Sequence, residues 1–176
     1  NLKLAYAYMC GHPGKKLLFM GQEFGQWNEW SEKRALDWYL LEDDSHKELK
    51  DFTKACLILN KKYRCLYETD YSPEGFRWIN ANDKDNSVFS FIRISPDKKR
   101  HLLFVFNFTP VERPNHRIGV PVKGKYKLVL GDDMKNQKKT LTSVRGECDG
   151  YKESLLIDLH RYGIAVYEFN GDVNAH

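Results

Sequence analysis

Residues 16–41 read KLLFMGQEFGQWNEWSEKRALDWYLL, and the reading of this stretch decides the fold. It opens with four apolar residues, Leu17, Leu18, Phe19 and Met20, and breaks at Gly21. A short apolar run between a lysine and a glycine has the pattern of a strand buried on both faces, as in a parallel sheet. In α/β sheets, ligands collect beyond the carboxyl ends of such strands. Glu23, Gln26, Trp27 and Trp30 follow that end directly and are the candidate ligand-contacting residues.

Upstream, Leu2, Ala5, Tyr6 and Met9 recur at the spacing of one helix face, and Gly11, Pro13 and Gly14 supply stop signals. Downstream, Ser45 and Glu48 have the spacing of a capping box. The helix it would open carries Leu49, Phe52, Cys56, Leu59 and Tyr63 along one stripe. Helix, strand, loop, helix is the closing part of an alternating α/β pattern. One strand is not a sheet, so the remaining strands are expected in sequence preceding this one. The absence of an initiator methionine likewise points to a piece of a longer protein.

Past residue 66 the periodicity changes. Segments 76–79, 87–94, 102–108, 117–122, 125–130, 155–159 and 164–169 are short and rich in β-branched and aromatic residues. Turn pairs such as Asn82-Asp83, Lys123-Gly124 and Tyr162-Gly163 separate them. The pattern predicts an all-β antiparallel sandwich over 66–176, roughly 110 residues, a size suited to an independent domain. The expected fold is thus an α/β fragment over 1–65 followed by that sandwich. Tyr71, Trp78, Phe89 and Phe91 read as core, since aromatic residues in sandwich strands are mostly buried.

Composition narrows the class. Charged residues make up 30% and hydrophobic ones 41%, ordinary for a globular protein, and no apolar run nears the roughly 18 residues of a membrane span. The net charge of +4 comes largely from Lys98, Lys99 and Arg100 and from the lysines between 135 and 139. Aromatics do not interleave with these clusters, so they read as solvated turn tips rather than a nucleic-acid surface. Cys10, Cys56, Cys65 and Cys148 form no CxxC pair, and the six histidines stand apart. Reduced thiols and no metal are expected.

The opening stretch resembles bacterial glycogen branching enzymes of the α-amylase superfamily, at the last barrel strand and following loop. Their pattern there is close to FMGxEFxQxxEW followed by LDWxLL. It is met by Phe19, Met20, Gly21, Glu23, Phe24, Gln26, Glu29, Trp30, Leu36, Asp37, Trp38, Leu40 and Leu41. The likeness continues in Gly75-Phe76-Arg77-Trp78-Ile79, in Asn86-Ser87-Val88-Phe89-Ser90-Phe91 and in Asn107-Phe108-Thr109-Pro110. It weakens over 132–152, where Met134-Lys135-Asn136 stands in place of a Tyr-Gly-Gly segment.

The resemblance implies the last strand and flanking helices of a TIM-type barrel at 1–65 and a C-terminal β domain at 66–176. It implies transfer of an α-1,4-glucan segment to a glucan 6-hydroxyl, in the cytoplasm and without a cofactor. Such retaining chemistry uses two carboxyl groups about 5–5.5 Å apart. The family carries them on strands outside this sequence, so no catalytic residue is expected here and the piece alone should be inactive. The implied partners are the glucan and the preceding part of the barrel. Glu23 would orient neighbouring groups, Gln26 would bond sugar hydroxyls or cap the loop, and Trp27 would offer an indole face to a glucose ring. Trp30 and Trp38 fit better as pins holding the loop. A carbohydrate-binding module without catalysis, and a debranching or trehalose-forming relative, are the alternatives.

Overall fold

The computed structural model describes residues 1–97 and 99–174. Lys98, one member of the first basic cluster, lies outside the described residues. Among the described residues, two α-helices, α1 (Leu2–Gly11) and α2 (Asp44–Lys62), precede nine strands. These are β1 (Phe76–Asp83), β2 (Val88–Arg93), β3 (His101–Asn107), β4 (Arg113–Val120) and β5 (Lys125–Gly131), then β6 (Thr140–Thr142), β7 (Val144–Cys148), β8 (Tyr151–Leu159) and β9 (Ile164–Phe169). Six form one sheet in the order β1-β2-β3-β9-β5-β6, and three form a second in the order β4-β8-β7. Every pairing is antiparallel.

The large sheet is the middle of three layers. Along β3, every residue is buried. Leu103 and Val105 face Ile118, Leu155 and Ile157 of the small sheet, while Leu102, Phe104 and Phe106 face Leu4, Ala7, Cys10, Phe52 and Cys56 of the helices. A strand covered on both sides loses the polar alternation of a half-exposed one. In β5, an irregularity between Leu128 and Leu130 puts both side chains to use, Leu128 toward the small sheet and Leu130 toward the helices.

Asn107 gives the Asn-Phe-Thr-Pro run a physical role. Its Nδ2 donates to the carbonyls of Val111 (2.7 Å) and His160 (2.8 Å), and its Oδ1 accepts from the backbone N–H (3.1 Å) and hydroxyl (2.7 Å) of Thr109. One fully buried amide thus spends all its bonding capacity pinning the chain as it leaves β3.

Several expectations are corrected. Residues 17–20 are not a strand: 17–19 have no regular structure, Met20 begins a turn, none joins a ladder among the described residues, and Leu17 is 75% exposed. A strand exists through the ladder it shares, and the described residues offer this one no partner. On α1 the buried face is Leu4, Ala7, Cys10 and Gly11, a register away from the expected stripe; Leu2 and Ala5 face outward. The reason is a close approach, since a Cβ on Gly11 would come within 2.6 Å of the Phe104 ring. The N-cap of α2 is Asp43, whose carboxylate accepts from the Ser45 N–H (2.7 Å) and hydroxyl (2.5 Å), so Ser45 lies inside the helix. The stripe from Leu49 to Tyr63 is buried as expected. Strands β6 and β7 fall in the stretch with no clear strand pattern. Phe91 is core, but Tyr71 (76% exposed) and Trp78 (38%) are not.

A buried ion pair ties the helices to the β layers. Arg93, fully buried on β2, donates to the Gly11 carbonyl (2.7 Å), the Gly75 carbonyl (3.3 Å) and Asp70 Oδ1 (2.9 Å). Asp70 Oδ2 accepts from the Gly14 N–H. Lys16 donates to the carbonyls of His12 and Gly14, and burial pulls its pKa down.

Candidate functional site

The loop after residue 20 is folded by its own polar groups. Met20 and Gly21 both have positive φ, 32° and 92°, so the chain reverses where the apolar run ends. The Gly21 carbonyl then accepts from the N–H groups of Phe24 (3.2 Å) and Gln26 (3.0 Å). Gln26 staples the loop: its Oε1 accepts from the Asp37 N–H (2.9 Å) and its Nε2 donates to the Asn28 carbonyl (3.1 Å). Asn28 in turn donates to Asp37 Oδ2 (2.7 Å), and Arg34 to the Glu29 carbonyl (2.6 Å).

Two contacts anchor this loop to the helices. The Tyr6 hydroxyl donates to the Gln22 carbonyl at 2.6 Å, and burial, reinforced by the Glu23 charge, raises its pKa. His46 Nδ1 sits 2.7 Å from the carbonyl of Phe24, a fully buried residue whose ring lies tilted against Trp38 at 5.0 Å. Neither Tyr6 nor His46 stood out in the sequence as part of this site. Their signal was only a hydroxyl on one helix and an imidazole near the start of the next.

Gln26, Trp27 and Trp30 surround one open hollow of about 290 Å³ together with Phe19, Met20 and Asn28. Glu23 is half-buried outside that lining, on the Tyr6 side, and its carboxylate accepts no hydrogen bond among the described residues. Trp30 packs edge-on to Phe19 at 5.5 Å and stays 54% exposed. Trp27 is the most exposed of the three loop indoles at 73%, with its edge against His46 at 5.2 Å. The arrangement can hold a hydroxylated, partly apolar ligand. It offers no pair of carboxylates poised on one atom, and no group of three metal-ligating side chains occurs among the described residues. No helix among them is long and apolar enough to cross a membrane.

An antiparallel two-sheet body carrying this loop defines the class. Residues 78–170 match the alpha amylase, C-terminal all-beta domain, and the chain belongs to that family. More particularly, it is similar to 1,4-alpha-glucan branching enzymes GlgB: 46% identical over 96% of this chain to that of Butyrivibrio fibrisolvens, and 45% identical over 77% to that of Aquifex aeolicus. The chain spans 28% and 21% of those two relatives. Among solved structures, the trehalulose synthase MutB from Pseudomonas mesoacidophila MX-45 shares the fold, with a TM-score of 0.57 at 13% identity, over 95% of this chain and 38% of that one.

Proposed function

We propose that this chain is the C-terminal part of a branching enzyme that cuts an α-1,4-glucan and transfers the released segment to a glucan 6-hydroxyl. Residues 1–65 would close the catalytic barrel, with 17–20 as its last strand, and 66–176 would form the C-terminal domain. The observation that carries this is the apolar run itself: Leu17, Phe19 and Met20 are exposed, and Leu17 and Leu18 make no backbone hydrogen bond among the described residues. In the whole enzyme Trp27 and Trp30 would offer indole faces to glucosyl rings, Gln26 would hold the loop in shape, and Glu23 would orient the groups beside it. The reactive carboxyl groups would come from the rest of the barrel. Free cysteines suit a cytoplasmic setting.

The test is reconstitution. The chain alone is expected to form no α-1,6 branches on amylose. Added to a Butyrivibrio fibrisolvens branching enzyme lacking its matching segment, it is expected to restore them. Branching by the chain alone, or no restoration, overturns the reading.

A second reading, a non-catalytic glucan-binding module, draws on Trp78. With Tyr8, Met9, Phe89 and Phe108 it lines an open, almost wholly apolar hollow of about 500 Å³. Retardation of the chain in a glycogen gel, lost on Trp78→Ala, would favour it.

A further inference from the structure

Trp27 borders a second, larger open hollow of about 660 Å³, lined also by Asp132, Arg161 and Tyr162 of the β layers and by Ser45 and His46 of α2. We infer that this cleft is an α-glucan-binding site built jointly by the loop and the β domain, a subsite that rests on the glucan reading above.

Its size falls within the roughly 300–1,000 Å³ of small-ligand sites. Its chemistry favours a neutral ligand, because its charged side chains already have partners. Lys3 lies 3.2 Å from Glu48, and Arg161 lies 3.8 Å from Glu112. Asp132 is saturated: Oδ2 meets His160 Nδ1 at 2.8 Å, while Oδ1 accepts from the Ile164 N–H (2.6 Å) and from Gln137 (3.2 Å). The α-ammonium of Asn1 is the one cation of the lining with no ion pair among the described residues, and binding through it would be lost in added salt. A glucosyl chain asks for what remains: an indole and a phenol for the flat C–H faces, and donors at the rim for hydroxyls. The exposure of Trp27 also needs a reason, since nothing in the loop's own bonding requires an indole there.

Titration calorimetry of the 176-residue chain with maltoheptaose tests the site. Trp27→Ala and Arg161→Ala are each expected to weaken binding about tenfold, with circular dichroism showing both variants folded. Added salt and Trp78→Ala are expected to leave binding unchanged. No binding by the parent chain, binding lost in salt, or binding lost only in Trp78→Ala overturns the site. The two readings fail separately. Absence of branching in the reconstituted enzyme overturns the function, whereas branching with maltoheptaose binding indifferent to Trp27 and Arg161 overturns this cleft alone.

Discussion

Two regions of the chain are both rich in aromatic residues and treat most of them in opposite ways. Between the helices and the large sheet, Phe91, Phe104 and Phe106 are fully buried, with Phe91 stacked on Phe104 at 5.1 Å and Tyr8 edge-on to Phe106 at 5.5 Å. In the loop over 15–43, Phe19, Trp27, Trp30, Trp38 and Tyr39 are between 46% and 73% exposed. Their backbone bonds reach only a few residues away, as from the Gln22 N–H to the Phe19 carbonyl or from the Leu40 N–H to the Asp37 carbonyl. The difference teaches which part is finished. The seam between the helices and the large sheet satisfies its apolar surface from within. The loop holds a definite shape through polar staples while presenting apolar area outward, as a contact surface does.

The sharpest way to break this contrast is to remove a ring from each side. Phe104→Ala empties the space between α1, α2 and β3 and is expected to lower unfolding stability by about 3–5 kcal/mol in urea denaturation. Trp27→Ala, at an exposed site, is expected to stay within about 0.5 kcal/mol. Equal losses would mean that the loop is as much core as the sheet, and the contrast would fall.

How much of this was legible follows from where each signal lives. Strands β2, β3, β5 and β9 announced themselves because their apolar and β-branched residues are dense, and a three-layer fold buries both faces of β3. The stripe of α2 was legible for the same reason. The face of α1 was not, because Gly11 and Phe104 set its rotation, and a contact between residues so distant in sequence leaves no periodic trace. Strands β6 and β7 hide because each is short, and β7 has no buried residue to mark a face. Trp78 looked like core by residue type alone. It sits on β1, at the edge of the large sheet, where one flank has no neighbouring strand. At the site, the glycines and Gln26 were readable as loop formers, while Tyr6 and His46 act through backbone carbonyls that any residue could have offered.

A smaller effect sharpens the comparison within the β body. The Asp132 carboxylate raises the pKa of His160 through their hydrogen bond, against the opposing pull of burial. A histidine raised above its unfolded value of about 6.5 contributes stability that is complete below that value and is lost as pH rises through the folded one. Burial lowers His116, which gives the opposite slope. The comparison is therefore between the parent and His160→Gln. Over about pH 5 to 8, the parent's melting temperature is expected to fall relative to the variant's as pH rises. A constant difference across that range would show that the pair carries no proton-linked stability.

The smallest effect in the isolated chain is the most informative about the apolar run. Leu17 is 75% exposed, so Leu17→Ser removes almost no buried area and is expected to change stability by less than about 0.5 kcal/mol. In the reconstituted branching enzyme, the same side chain would stand on a barrel strand covered on both faces. There the substitution is expected to cost about 1.5–3 kcal/mol, the worth of burying a leucine, and to weaken association of the two pieces accordingly. The identity of the residue is the same in both measurements, and only its surroundings differ. A large loss in the chain alone would mean that Leu17 is already packed. Indifference in both settings would mean that nothing ever covers residues 17–20, which removes the strand from the barrel and the barrel from the proposal.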